Sequence, residues 1–158
     1  DRGIDLGYLV KKDLEVETQL IPHTKAKLEN GKKFARGVFE LRLIKDNRPI
    51  FINLLTHLKS KLDLKKQDFE GRTQRVSEVK YLAKLHKKLS NDFPNIPVFI
   101  SGDLNAIIYK DQTEPELSEL LTKGRLLDIF EIDDRPFEKR VTYCYFDRKR
   151  DRFDMQLD

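Results

Sequence analysis

Asp103 and Asn105 stand two residues apart, directly after the segment Pro97-Val98-Phe99-Ile100-Ser101-Gly102. In extended backbone, residues i and i+2 point to the same side, so this carboxylate and amide face one ligand. The pair suits work on a phosphate. The carboxylate accepts a proton or helps hold a metal, and the amide donates to an oxygen. An ordinary strand-end turn uses the same residue types, so the weight must come from the chain on either side.

A second set follows another apolar run. Ile50-Phe51-Ile52-Asn53-Leu54-Leu55 leads into Thr56-His57-Leu58-Lys59-Ser60-Lys61. A histidine at a strand end bonds a phosphate oxygen or donates a proton to one, and Lys59 and Lys61 add positive potential beside it. A solvated loop with an incidental histidine is the plain alternative. Gly71-Arg72-Thr73-Gln74-Arg75 opens a helical stretch, and helix N-termini and arginines both favour anions. A normal charged first turn reads the same way, more so for Arg75 than for Arg72. Asp154 interrupts apolar neighbours in Arg152-Phe153-Asp154-Met155-Gln156-Leu157; a carboxylate inside a strand is costly unless it is paired, binds a metal or faces a site. Asp5 reads instead as a surface residue of an edge strand. His23 lies in a Pro/Lys loop and His86 on the lysine-rich face of a helix, so both read as bystanders.

The elements that must position these groups follow from periodicity. Ile4, Leu6, Tyr8 and Val10 alternate as in a half-buried strand. Glu15 to Ile21 is a second strand, closed by Pro22, and Asn30-Gly31 is a turn signal. Val38 to Ile44 alternates again, and the turn Asp46-Asn47-Arg48-Pro49 leads into the run at 50–55, which reads as a strand covered on both faces. Val76, Val79, Leu82, Leu85 and Leu89 recur every three or four residues, which predicts an amphipathic helix over 72–91. A buried strand spans 98–101. A shorter helix covers 114–123, capped by Thr113, with Pro115 in its first turn and Gly124 as its stop. Leu126 to Ile132 is apolar without a clear period. Residues 141–146 and 152–157 read as a closing hairpin.

The 158 residues suit one domain with a real core. Hydrophobic residues make up 39% and charged residues 37%, and the apolar ones cluster, which argues against disorder. A net charge of +4 permits polyanion binding without demanding it. A single cysteine, Cys144, excludes an internal disulfide or a cysteine metal cage. No apolar run approaches the roughly 18 residues of a membrane span. Nothing points to an obligate oligomer or fixes a compartment. The class is α/β, strand-rich, with two helices between strands.

Taken in order, Arg2-Gly3-Ile4-Asp5, His57-Leu58-Lys59-Ser60-Lys61, Arg72 with Gln74, Gly102-Asp103-Leu104-Asn105-Ala106, Thr142-Tyr143 and Phe153-Asp154 resemble the endonuclease/exonuclease/phosphatase superfamily, in its bacterial nuclease-like branch. The resemblance runs from end to end. It implies a DNase-like fold, two packed sheets flanked by helices in four α/β/β/α layers, and a phosphoesterase that uses a divalent cation, usually magnesium, with manganese or calcium as substitutes. It implies that His57 binds the scissile phosphate and stabilises its charge, that Asp103 positions or deprotonates water, and that Asn105 holds a phosphate oxygen. It likewise implies that Asp154 orients a catalytic histidine, and it matches Arg72 to an arginine before the helix.

The family's metal glutamate lies upstream of the Arg-Gly-Ile-Asp segment and its Ser-Asp-His string lies downstream of Asp154. Residues 1–158 contain neither, and are expected to be the central portion of a larger domain, weakly active alone. Asp103 and Asn105 are then at most second-site metal ligands. The expected function is a phosphodiester hydrolase acting on nucleic acid, most simply an endonuclease. The rivals are a phosphatase or sphingomyelinase-type phosphoesterase of the same fold, and a non-catalytic nucleic-acid or protein-binding module using Lys59, Lys61, Lys65 and Lys66. Ala106-Ile107 where inositol phosphatases carry Tyr-Arg, and the absence of tryptophan, favour the nuclease.

Overall fold

The computed structural model describes residues 6–62, 66–108, 113–146 and 152–155, and these build a mixed α/β fold. Its main sheet has the order β1-β2-β3-β4, formed by Glu17–Pro22, Val38–Lys45, Arg48–His57 and Val98–Asp103. Strands β1, β2 and β3 are antiparallel, whereas β4 runs parallel to β3. The parallel return requires a crossover, and helix α1 (Arg72–Asp92) supplies it. Two short helices, α2 (Ser118–Thr122) and α3 (Ile129–Ile132), follow β4, and β5 (Tyr143–Phe146) pairs with β6 (Arg152–Met155) in a separate two-stranded sheet.

Local chemistry explains the joints. Asp46 and Asn47 both take left-handed backbone, at φ 50 and 60, between the paired residues Lys45 and Arg48. That is the two-residue hairpin turn whose twist matches the flanking strands, and Asp and Asn tolerate it. Helix α1 begins where Asp68 accepts the amides of Thr73 (2.8 Å) and Gln74 (2.9 Å). After α2, Gly124 lies so close to Leu120 that an added Cβ would sit 2.4 Å from its carbonyl oxygen. The last turn before α3 is capped by Asp128, which accepts from the amide of Phe130.

Helix α1 covers one face of the sheet. Val79, Leu82, Ala83 and Leu89 pack with Val38, Ile52, Leu54 and Leu58, and Leu104, Ala106, Leu117 and Leu120 complete this core. Phe51 and Phe99 stack on the opposite face, 5.2 Å between centroids. There the Tyr8 hydroxyl meets the carbonyls of Phe39 (3.0 Å) and Asn53 (2.9 Å) and accepts from the Asn53 amide. Burial pushes the Tyr8 phenol up to about 12, so it serves as a neutral staple.

Several expected elements differ. Residues 6–10 form no strand, and Leu9 is fully exposed; Tyr8 docks by its hydroxyl instead, while residues 1–5 lie outside the described residues. The Asn30-Gly31 turn forms with Gly31 at φ +76, inside the long connection from β1 to β2 rather than as a tight hairpin. The segment at 98–101 is not buried on both faces. Among the described residues β4 pairs with β3 alone, so Phe99 is 39% exposed. The helix expected at 114–123 is a 3-10 turn at Pro115–Leu117 followed by α2, and its cap is Glu114, without a side-chain cap bond.

Candidate active site

The parallel pairing of β3 with β4 sets His57 opposite Asp103 at the strands' C-terminal ends. Nε2 of His57 lies 3.4 Å from Oδ2 of Asp103. This approach depends on Gly102. Its φ is +117, and a Cβ there would fall 1.9 Å from the carbonyl oxygen of Thr56, so only glycine lets the strand ends come this close. Asn105 follows in left-handed backbone at φ 50. Its amide N–H donates to Oδ1 of Asp103 (2.8 Å), and its side-chain Nδ2 donates to the Leu58 carbonyl (3.2 Å). The acid, the amide and the imidazole thus share one corner, but not by strand alternation: the strand ends at Asp103, and Asn105 arrives through a left-handed turn.

Arg36 joins them. It comes from the loop before β2, and its Nη1 donates to the same Leu58 carbonyl at 3.2 Å. The imidazole of His57 is held below its ordinary range by burial first and by the Arg36 charge second, against the upward pull of Asp103. Both influences favour the neutral ring, which offers a single N–H. Asp103 keeps 40% of its side chain exposed and can meet a water.

The turn after His57 is fastened from below by helix α1. Both main-chain groups of Lys59 are held there: its N–H donates to Oε2 of Glu78 (2.7 Å), and its carbonyl accepts from Nη1 of Arg75 (2.9 Å). Gly71, at φ +63, abuts the same turn, with Ser60 O 2.5 Å from where a Cβ would stand. Arg75 is wholly buried and pairs with buried Glu116 at 2.6 Å. The expectation of an ordinary solvated first turn fails for Arg75, because its charge is needed inside to satisfy Glu116 and the Lys59 carbonyl.

The other expected anion binders are engaged elsewhere. Lys59 Nζ donates to the carbonyls of Ser60 (2.9 Å) and Leu62 (2.6 Å). Lys61 pairs with Glu114 at 2.5 Å. Arg72 stands 3.5 Å from Glu70 and 3.8 Å from Glu116. The α1 N-terminus already holds an anion, the Asp68 carboxylate. Lys65 and Asp5 lie outside the described residues, and Asp154 sits in β6, in register with Cys144.

The two bystander histidines prove structural. His23 bonds Glu40 at 2.9 Å, with the Tyr81 hydroxyl 3.4 Å from its other nitrogen. His86 is not on the lysine face; its Nε2 stands 3.3 Å from the Val98 carbonyl, and burial holds its pKa down. Arg36, Glu78 and Glu116 were not legible as site residues. Their only signal in the sequence is charge in segments that read as basic loop and amphipathic helix.

A magnesium ion takes about six oxygen ligands. Asp103 and Asn105 would supply two, and among the described residues no group of three or more His, Cys, Asp or Glu side chains could hold a metal. These residues do not make a cation site by themselves.

No family model matches the chain, and no curated protein matches it. Several solved structures show partial likeness. The beta toxin 275-280 structure from Staphylococcus aureus is 25% identical, with 63% of this chain and 32% of that chain covered at a TM-score of 0.41. SmcL is 23% identical, covering 58% and 30% at 0.40. Truncated Caenorhabditis elegans TDP2 is 17% identical, covering 90% and 50% at 0.49. The chain spans between 30% and 50% of the length of these proteins. No helix among the described residues is long and apolar enough to cross a membrane.

Proposed function

We propose that the chain is the phosphate-handling part of a phosphodiester hydrolase whose substrate is nucleic acid. The supporting observation is the register that sets His57 abreast of Asp103, with Arg36 and Asn105 both bonded to the carbonyl of Leu58, the residue after His57. Asp103 orients a water and takes its proton as the water oxygen bonds to phosphorus and the ester P–O bond breaks. Neutral His57 donates its N–H to a nonbridging oxygen. Arg36, and the Asn105 amide hydrogen not used on Leu58, brace the charge that grows there.

Nucleic acid is favoured over an inositol phosphate by Ala106-Ile107 after the Gly-Asp-x-Asn string, where inositol phosphatases carry Tyr-Arg, and the net charge of +4 is compatible with it. The divalent-cation requirement implied by the family resemblance belongs to this reading, with ligands beyond the described residues. Supercoiled plasmid, phosphoinositide vesicles and sphingomyelin vesicles, each offered to the intact protein with magnesium and again with a chelator, test it. Nicking of the plasmid that the chelator abolishes supports the reading. Turnover of either lipid with an intact plasmid overturns the substrate assignment.

A further inference from the structure

Glu78 is a fully buried carboxylate on helix α1, yet among the described residues no cation pairs with either of its oxygens. Both oxygens accept backbone amides instead, and from two different loops. Oε1 accepts the N–H of Ala35 at 2.8 Å, and Oε2 accepts the N–H of Lys59 at 2.7 Å. Ala35 precedes Arg36, and Lys59 lies two residues beyond His57. One side chain therefore ties together the segment that brings the Arg36 guanidinium to the Leu58 carbonyl and the segment that carries His57.

The surrounding bonds show that this tie is built. Gln74, one helical turn earlier, donates to Oε1 of Glu78 (3.0 Å) and to the Lys33 carbonyl (2.8 Å), and accepts from Asn30 (3.0 Å). Helix α1 thus holds the loop before β2 at residues 30, 33 and 35. On the other side, Arg75 holds the Lys59 carbonyl, and its own charge is met by Glu116. A buried carboxylate is costly to keep, and burial raises the Glu78 pKa. A core position needing only volume would be served by leucine or methionine.

We propose that Glu78 is the positioning residue of the phosphate site, fixing the span between Arg36 and His57 by bonding one amide of each carrying segment. The proposal rests on the hydrolase reading. Glutamine at this position keeps the volume but presents an NH2 group to one of two N–H donors, so one of the two segments is released.

The test compares kcat/KM for plasmid nicking by the intact protein in Glu78→Gln, Arg36→Ala, His57→Ala and the pairs Glu78→Gln/Arg36→Ala and Glu78→Gln/His57→Ala, at a temperature where circular dichroism shows each folded. Glu78→Gln is expected to cost about tenfold alone and no more than about threefold in at least one of the two pairs, the one lacking the side chain whose segment is released, because groups acting through one another are not additive. An equal factor in all three backgrounds, as general destabilisation gives, overturns the proposal. So does wild-type turnover in Glu78→Gln beside an impaired His57→Ala, which leaves the hydrolase reading standing. Full turnover in His57→Ala overturns both. Should Glu78→Gln fail to fold, amide exchange in the unaltered protein decides. Slow exchange at both Ala35 and Lys59 is expected, and fast exchange at either overturns the proposal.

Discussion

Two sets of phosphate-binding candidates in this molecule met different fates. His57, Asp103 and Asn105 come from the ends of adjacent parallel strands, and the sheet carries them to one corner. Lys59, Lys61, Arg72 and the α1 N-terminus come from the turn and helix nearby, and each already has a protein partner. A strand end fixes where a side chain emerges, because register leaves it no alternative. A long cationic side chain in a turn finds the nearest carbonyl or carboxylate first. Convergence and charge count are separate properties, and the candidate site is defined by the first.

The largest expected effect breaks the converging set directly. His57→Ala and Asp103→Ala should each lower nicking by the intact protein about 10²–10³-fold, as losing one aligned donor or base commonly does, with the circular dichroism spectrum unchanged. Near-normal turnover in either would remove the functional reading of the corner. The next effect breaks the approach of the two strands. In Gly102→Ala the new methyl group would meet the Thr56 carbonyl at 1.9 Å, in a backbone conformation foreign to alanine. A loss of at least about 2 kcal/mol in urea unfolding is expected. A stability within experimental error of the parent would mean that the strand ends stand farther apart than described.

This contrast also marks what the sequence could tell. The run 50–55 and the string 97–106 each announce a strand followed by polar residues, and their pairing brings His57 to Asp103 without further information. The α1 helix is equally plain from Val79, Leu82 and Leu89. Arg36 is not, because it lies in a basic loop and its value comes from folding back onto Leu58, a contact 22 residues away in sequence. Glu78 and Arg75 read as the charged face of a helix. Tertiary packing turned that part of the face inward, where Ala35, Lys59 and Glu116 needed partners. Periodicity records which positions can be apolar; it does not record a buried polar network that replaces them.

A smaller effect sharpens the electrostatics of the corner. His57 is held below the usual histidine value of about 6.5 by burial and by Arg36, while Asp103 opposes the shift. Because the folded value is the lower one, the neutral ring's contribution to stability is complete above the unfolded value. It is lost as pH falls through the folded one. Nuclear magnetic resonance titration of the His57 ring should show its midpoint rising in Arg36→Ala and falling in Asp103→Asn. Shifts of the opposite sign would mean that the guanidinium and the carboxylate do not flank the ring.

The smallest effect belongs to the engaged cations. Each lysine or arginine that neutralises a phosphate releases condensed counterions, so removing it lowers the salt dependence of nucleic-acid binding by about one unit of slope. Arg36→Ala should show that full change with a duplex oligonucleotide. Lys61→Ala should show much less, because the parent lysine is already paired with Glu114 and brings little net charge to the interface. Its stability should also move little, since an exposed pair of this kind contributes about 0–1 kcal/mol. Removing Glu114 instead should free Lys61 and steepen the salt slope. If Lys61→Ala and Arg36→Ala flatten the slope equally, the lysine leaves its partner for phosphate, and the line drawn between the two sets of candidates disappears.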